Sequence, residues 1–257
     1  MTDPILLDIH DGVATITLAR PDKLNALDDA MFELLGRYAD VIDADRSVRS
    51  VILTGMGKAF CAGGDIAAWG ELSALEMGQS WVRRGHRAFD KIARMKPPVV
   101  AAINGHALGG GLELAITADI RICEVQAKIG MPESGLGMIP GWSGTQRLVR
   151  RLGGSVARRL ALTGDLITAE TALSLGIVDQ IVEKGGCLAA AQATAARIAT
   201  RGPVANMVVK QLINAAEEED HAAIMEALAS SLVSYTADVK EGVSAFRDKR
   251  TPSYRGE

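Results

Sequence analysis

The sequence predicts an α/β fold, with one core of alternating strands and helices at residues 1–198 and a helical C-terminal region at 199–257, together forming a single functional domain. Three observations carry this. Short apolar runs bounded by turn residues, Val51-Ile52-Leu53 and Val99–Ile103, have the length of buried strands. Stretches with apolar residues at helical spacing lie between such runs, the order that crossover connections produce. From about Ser155 the pattern becomes helical throughout.

The first element is a hairpin. Ile5, Leu7 and Ile9 alternate with Leu6, Asp8 and His10, Asp11-Gly12 is a tight-turn pair, and Val13–Leu18 alternates again. The chain turns after Arg20-Pro21, and Asp28 opens a helix whose apolar face is Met31, Leu34, Leu35, Tyr38 and Ile42. The strand at Val51 closes with Thr54-Gly55, and a glycine-rich loop, Cys61-Ala62-Gly63-Gly64-Asp65, follows. A long helical stretch ends near Met95, because Pro97-Pro98 cannot continue it. After the Val99 strand, Gly109-Gly110-Gly111 leads into a helix at Leu112–Ala115, and Ile120–Ile122 and Lys128–Gly130 read as further strands. Beyond them, Ser155 and Gly164 bracket one helix, Thr168 and Gly176 a shorter one, Pro203 and the acidic run Glu217–Asp220 a third, and Glu241–Lys249 forms the last. No internal repeat shows at the level of residue identity.

Composition narrows the function classes. The 257 residues are 48% hydrophobic, long enough to bury a core without disulfides or metal. Charge is nearly balanced, 28 Lys+Arg against 31 Asp+Glu, so no bulk field favours nucleic acid. The basic cluster Arg147, Arg150, Arg151, Arg158 and Arg159 has no interleaved aromatic residues for base stacking and reads as a solvated surface rather than an RNA site. No apolar run reaches the ~20 residues of a membrane span. The start shows no cationic and apolar leader, and Cys61, Cys123 and Cys187 are odd in number and scattered, which points to reduced thiols and a cytoplasmic location. Those cysteines and His106 have no partner set for nucleophilic or metal chemistry and read as structural.

The glycines exclude two common ligands. Gly57-Lys58 lacks the upstream glycine of a phosphate loop, and Gly109–Gly111 lacks the spacing of a dinucleotide fingerprint. Glycine does let a backbone approach a ligand closely, and two N–H groups aimed at one point form an oxyanion hole. The other reading is ordinary turn chemistry. Glu113 stands among Leu112, Leu114, Ala115 and Ile116, an apolar setting in which a carboxylate is rarely found without a partner. Glu133 follows twenty positions later in Met131-Pro132-Glu133, room for a short strand to bring it back beside Glu113. Two carboxyls in an apolar pocket do not both ionise easily, so one becomes a proton donor and the other an acceptor. The alternative pairs Glu113 with Arg121 or Arg147 and leaves Glu133 closing a turn.

Asn25-Ala26-Leu27, Lys58–Ile66, Asn104–Ala115, Met131-Pro132-Glu133, Ile139-Pro140-Gly141, Gly144–Arg147, Leu162–Asp165 and Glu241–Phe246 with Lys249-Arg250 together resemble the enoyl-CoA hydratase/isomerase (crotonase) family over essentially the whole chain. The resemblance implies a spiral of ββα repeats with a C-terminal helical trimerisation region, assembled as a homotrimer or a dimer of trimers. It implies hydration of a trans-2-enoyl-CoA thioester, with Glu113 as base, Glu133 as acid, and the backbone N–H groups of Ala62 and Gly110 as the oxyanion hole. It further places Ala26, Gly63, Gly64, Asp65, Ile66 and Gly109 at the substrate, and Phe246 and Lys249 at its nucleotide end; for this last pair a plain amphipathic helix, with Phe246 in the core, is the competing reading. Coenzyme A enters as part of the substrate, with no metal or other cofactor. Trp142 stands where many hydratases carry small residues, either shaping the acyl pocket or anchoring a loop outward. Competing functions are an enoyl-CoA isomerase, another crotonase chemistry on a carnitine-like, aromatic or branched acyl group, and a silent CoA-binding scaffold.

Overall fold

The computed structural model describes residues 3–257. Among these residues ten strands build two sheets. They are β1 (Ile5–His10), β2 (Val13–Leu18), β3 (Ser50–Gly55), β4 (Ala59–Cys61), β5 (Val99–Ile103), β6 (His106–Leu108), β7 (Ile120–Glu124), β8 (Lys128–Gly130), β9 (Leu166–Thr168) and β10 (Gln180–Val182). The larger sheet has the order β1-β2-β3-β5-β7-β10 and the smaller β4-β6-β8-β9. Three successive passes, β3 to β4, β5 to β6 and β7 to β8, each deliver one strand to each sheet. This is the spiral implied by the resemblance, and only β1–β2 and β8–β9 pair antiparallel.

The hairpin forms because Asp11 and Gly12 both adopt positive φ, 48° and 76°, the turn whose twist matches the flanking strands. The central strands β3, β5 and β7 of the larger sheet are buried on both faces, as continuous apolar runs require. Leu53, Ala101, Ile103 and Cys123 face the main core, while Ile52, Val100, Ala102 and Ile122 pack under Cys187, Ala191 and Ala195 of the Cys187–Ala199 helix. That alternation is the strand period of two made visible.

Several elements correct the sequence reading. The helical stretch does end at Arg94, before Met95, and runs unbroken from Ala74 with a π-helical segment at Met77–Val82, but a separate short helix, Ile66–Trp69, precedes it. Cys61, placed in the glycine-rich loop, is the last residue of a strand over residues 59–61; residues 106–108, to which the sequence assigns no element, are a strand too, as are β9 and β10 in the region read as helical. A helix also covers Gly144–Leu152. Ser155 is not an N-cap, because the Gly154–Thr163 helix starts directly after Gly153, whose φ of 83° ends the preceding helix. Thr168 does cap its helix, accepting from the Thr171 N–H, and Gly164 closes the previous one at φ 68°.

One compact unit runs to Lys210 and a second spans Gln211–Glu257. Residues 199–210 go with the first, since Lys210 is buried on Asp119 (2.8 Å) and the Pro97 carbonyl (3.2 Å). The second unit contains the helices His221–Ser234 and Ala237–Arg247. Arg250 grips Glu241 by two hydrogen bonds, and Asp238 accepts from the Arg255 and Gly256 N–H groups, folding the tail back on the last helix.

Candidate active site

The three consecutive glycines each face a different neighbour. Gly109 has φ 52° and ψ −123°, a conformation open only to glycine, and a Cβ there would lie 2.7 Å from Oε1 of Glu133. A Cβ on Gly110 would overlap the Trp142 ring, and one on Gly111 would overlap the Cys61 carbonyl oxygen. The Gly110–Ala115 helix is thus pressed against β4, against Trp142 and against Glu133 at once.

Parallel pairing of β6 with β8 brings the two glutamates together. Leu108 pairs with Gly130, and the Gly109 N–H continues the ladder onto the Gly130 carbonyl at 2.9 Å. The chain leaving β8 therefore runs beside the chain leaving β6. Pro132 then starts a 3-10 turn over Pro132–Leu136 that carries Glu133. This is the short returning strand expected from the twenty-residue spacing.

Glu113 is 2% exposed. Its Oε1 accepts from the N–H groups of Trp142 (2.7 Å) and Gly144 (2.8 Å), and its Oε2 from that of Gly141 (3.4 Å). Burial pushes its pKa up to about 7; the three donors act against burial, and the charge of Glu133 adds to it. Burial also raises Glu133, whose Oε2 is buried without a hydrogen-bond partner. The alternative pairing with arginine is removed. Arg121 bonds to Asp179 and to the carbonyls of Ile177 and Ala118, and Arg147 bonds to Asp90 at 3.0 Å. The turn holding Glu113 is itself unusual. Ser143 has φ 70°, and its hydroxyl lies 2.7 Å from Nδ1 of His86 on the Arg83–Arg94 helix. Sequence reading assigned no role to Gly141, Gly144 or His86, because the partners lie far apart in the chain.

The oxyanion-hole expectation needs one correction. The Ala62 N–H already donates to the Leu24 carbonyl at 3.0 Å, so it is not available to a ligand. Two residues on, Leu27 forms a parallel bridge with Gly64, donating to the Gly63 carbonyl and accepting from the Asp65 N–H. That pattern skips Gly64 and leaves its N–H outside the ladder. Gly110 is the first residue of its helix, where an N–H has no intrahelical acceptor. The two glycines lie against the same ring edge. A Cβ on Gly64 would sit 3.0 Å from Cη2 of Trp142, and one on Gly110 would overlap the adjacent Cζ3.

The remaining expected residues divide. Asp65 accepts from Arg20 (2.9 Å) and caps the Ile66–Trp69 helix through the Ala67 N–H, which keeps its carboxyl below the usual range. Arg20 also holds the Ala26 carbonyl (2.7 Å), so Ala26 and Asp65 are fastened to one guanidinium that sequence reading overlooked. Gly63 is buried at φ 106°, facing the Leu108 carbonyl and the Gly110 nitrogen, while Ile66 is exposed. Trp142 turns inward, 4% exposed, so the outward loop anchor is excluded. Phe246 and Lys249 belong to the second unit and both are exposed, so Phe246 is not a core residue. The arginine cluster is not one surface, since Arg147 is buried and Arg151 donates to the Ile116 and Ala118 carbonyls.

Known proteins resemble this arrangement over its whole length. Residues 8–257 match the enoyl-CoA hydratase/isomerase family model. The chain is 38% identical to the short-chain-enoyl-CoA hydratase of Clostridium acetobutylicum, over 96% of this chain and 95% of that protein. It is 39% identical to the crotonyl-CoA hydratase of Syntrophomonas wolfei, covering 97% of each. Among solved structures, an enoyl-CoA hydratase from Bacillus anthracis superposes with a TM-score of 0.81 at 37% identity, over 99% of this chain and all of the other. The chain belongs to the enoyl-CoA hydratase/isomerase family.

Proposed function

We propose that the protein is an enoyl-CoA hydratase, a hydro-lyase that adds water across the double bond of a trans-2-enoyl-CoA thioester to give a 3-hydroxyacyl-CoA. The observation that carries the reading is a pair of buried carboxyls with raised pKa values held in different surroundings. Glu113 receives three N–H groups, which favour its ionised form and make it the base. Glu133 has a buried oxygen with no partner, as suits a carboxylic acid that donates to carbon. Glu113 takes a proton from water as the oxygen bonds to the β-carbon, and Glu133 gives a proton to the α-carbon. Charge that develops on the thioester oxygen meets the N–H groups of Gly64 and Gly110, which replace the Ala62–Gly110 pair expected from the sequence. The proton gained by Glu113 and the one lost by Glu133 balance, so the pair resets by exchange with solvent. Each turnover needs the thioester and water, and coenzyme A arrives with the substrate.

Assembly as a trimer or a dimer of trimers and a cytoplasmic location are parts of the same proposal. Large exposed apolar residues on the C-terminal helices support the first. Three buried cysteines, all free thiols, support the second.

Loss of the enoyl-thioester ultraviolet absorbance with crotonyl-CoA tests the activity. Fast loss is expected, falling by roughly two to four orders of magnitude in both Glu113→Ala and Glu133→Ala. Hydration that persists in Glu133→Ala would remove the acid role. A protein that leaves crotonyl-CoA intact but shifts the double bond of a 3-enoyl thioester would be an isomerase.

A further inference from the structure

Trp142 is tied to the site twice. Its backbone N–H holds Glu113, and the benzo edge of its ring lies against Gly64 and Gly110, the two glycines proposed to bind the thioester oxygen. The ring is fixed from behind by aromatic neighbours. Its centroid lies 4.9 Å from Phe32, 5.5 Å from Phe89 and 5.6 Å from Trp81, at interplanar angles of 58–70°. On its far side the pyrrole edge reaches Gly85 of the Arg83–Arg94 helix, where any Cβ would overlap Cδ1 and Nε1. Gly64, Gly85 and Gly110 together line the slot that the indole fills, at 4% exposure. The indole N–H inside the slot has no partner, so the pose is held by shape and ring packing and not by a hydrogen bond.

On the hydratase reading the thioester oxygen meets the N–H groups of Gly64 and Gly110, so the acyl chain starts beside the Trp142 ring, which abuts both glycines and whose backbone N–H bonds Glu113. A chain that extended past the glycines into the slot would have to displace a ring locked by three aromatic neighbours. We infer that the Trp142 indole is the wall that ends the acyl pocket and restricts this protein to short, unbranched 2-enoyl thioesters. The inference rests on the hydratase reading for the position of the thioester, and it assigns Trp142 a specificity role distinct from the acid/base work of the glutamates.

Substitution of the side chain keeps the backbone N–H on Glu113, so the wall is removed without removing the base's donor. Trp142→Leu empties the part of the slot against Gly64 and Gly110. Trp142→Phe keeps an aromatic ring in the cluster and withdraws only the outer ring edge, so it is the variant that preserves folding if leucine does not. Two ratios are measured on each protein: kcat/KM for trans-2-octenoyl-CoA against crotonyl-CoA, and affinity for octanoyl-CoA against butyryl-CoA, which bind without reacting. In the native protein both ratios are expected to favour the short ester by at least about tenfold. The preference should weaken in Trp142→Phe and shift by roughly tenfold or more toward the long ester in Trp142→Leu. A native protein that takes the eight-carbon esters as readily as the four-carbon ones overturns the inference, as do ratios unchanged in both variants. If no ester is hydrated but the binding ratio still favours butyryl-CoA and inverts with the substitutions, the hydratase reading fails and the wall stands.

Discussion

At the scale of single residues, the site is governed by what burial does to Glu113. Its pKa stands at about 7 against an ordinary value of 4.5, with burial as the largest cause. Linkage fixes the sign of the effect on stability. As pH rises above 4.5 the unfolded chain releases this proton first, while the native protein still holds it. The stability this group contributes is complete below 4.5 and is lost as pH rises through about 7. At 1.36 kcal/mol per unit, the native state should lose about 3 kcal/mol across that window from this group alone. Glu113→Gln removes the titration and keeps the shape. Urea unfolding of both proteins from about pH 5 to about pH 8 should show the variant gaining roughly that amount over the native protein. A difference that stays flat with pH would mean that Glu113 is not held near neutrality.

At the scale of elements, legibility followed length and residue type. The hairpin, the Asp28-capped helix and the strands at Val51 and Val99 were readable because period, turn pair and cap agree locally. Of the smaller sheet only β8 was readable; β4, β6 and β9 were not, because three residues are too few to display a period. The candidate site shows the same division. Glu113 and Glu133 stood out as carboxylates in apolar surroundings. The difference between Ala62 and Gly64 could not be read, because it depends on which carbonyls Leu24 and Leu27 present from another part of the chain. Gly111 is a case where structure supplies the reason for a residue that sequence could only note. A Cβ there would overlap the Cys61 carbonyl, which is backbone in β4 and cannot rotate away. Gly111→Ala should therefore cost about 3 kcal/mol in urea unfolding. Gly78→Ala, with nothing within 4 Å of its Cβ, should cost less than about 1 kcal/mol or be neutral. Equal effects at the two positions would show that the helix start is not packed against β4.

At the scale of the whole molecule, the C-terminal unit raises a problem of exposed surface. The His221–Ser234 helix is apolar along most of its length, yet Ile224 is its one buried residue. Leu232 is 73% exposed and Tyr235 86%, and Phe246 on the following helix is 86% exposed. A solitary soluble chain rarely leaves so much apolar surface in contact with water, and the usual resolution is burial against another copy. Assembly would then stabilise the native state by mass action, making the midpoint of unfolding depend on protein concentration. Light scattering is expected to give three or six times the chain mass of 27.1 kDa. Replacing Leu232 and Val233 together by glutamate puts charge on exposed apolar positions without emptying any core, so the monomer should still fold while the assembly dissociates. A native protein that remains a monomer at micromolar concentration, with an unfolding midpoint independent of concentration, would leave these helices without the partner their composition calls for.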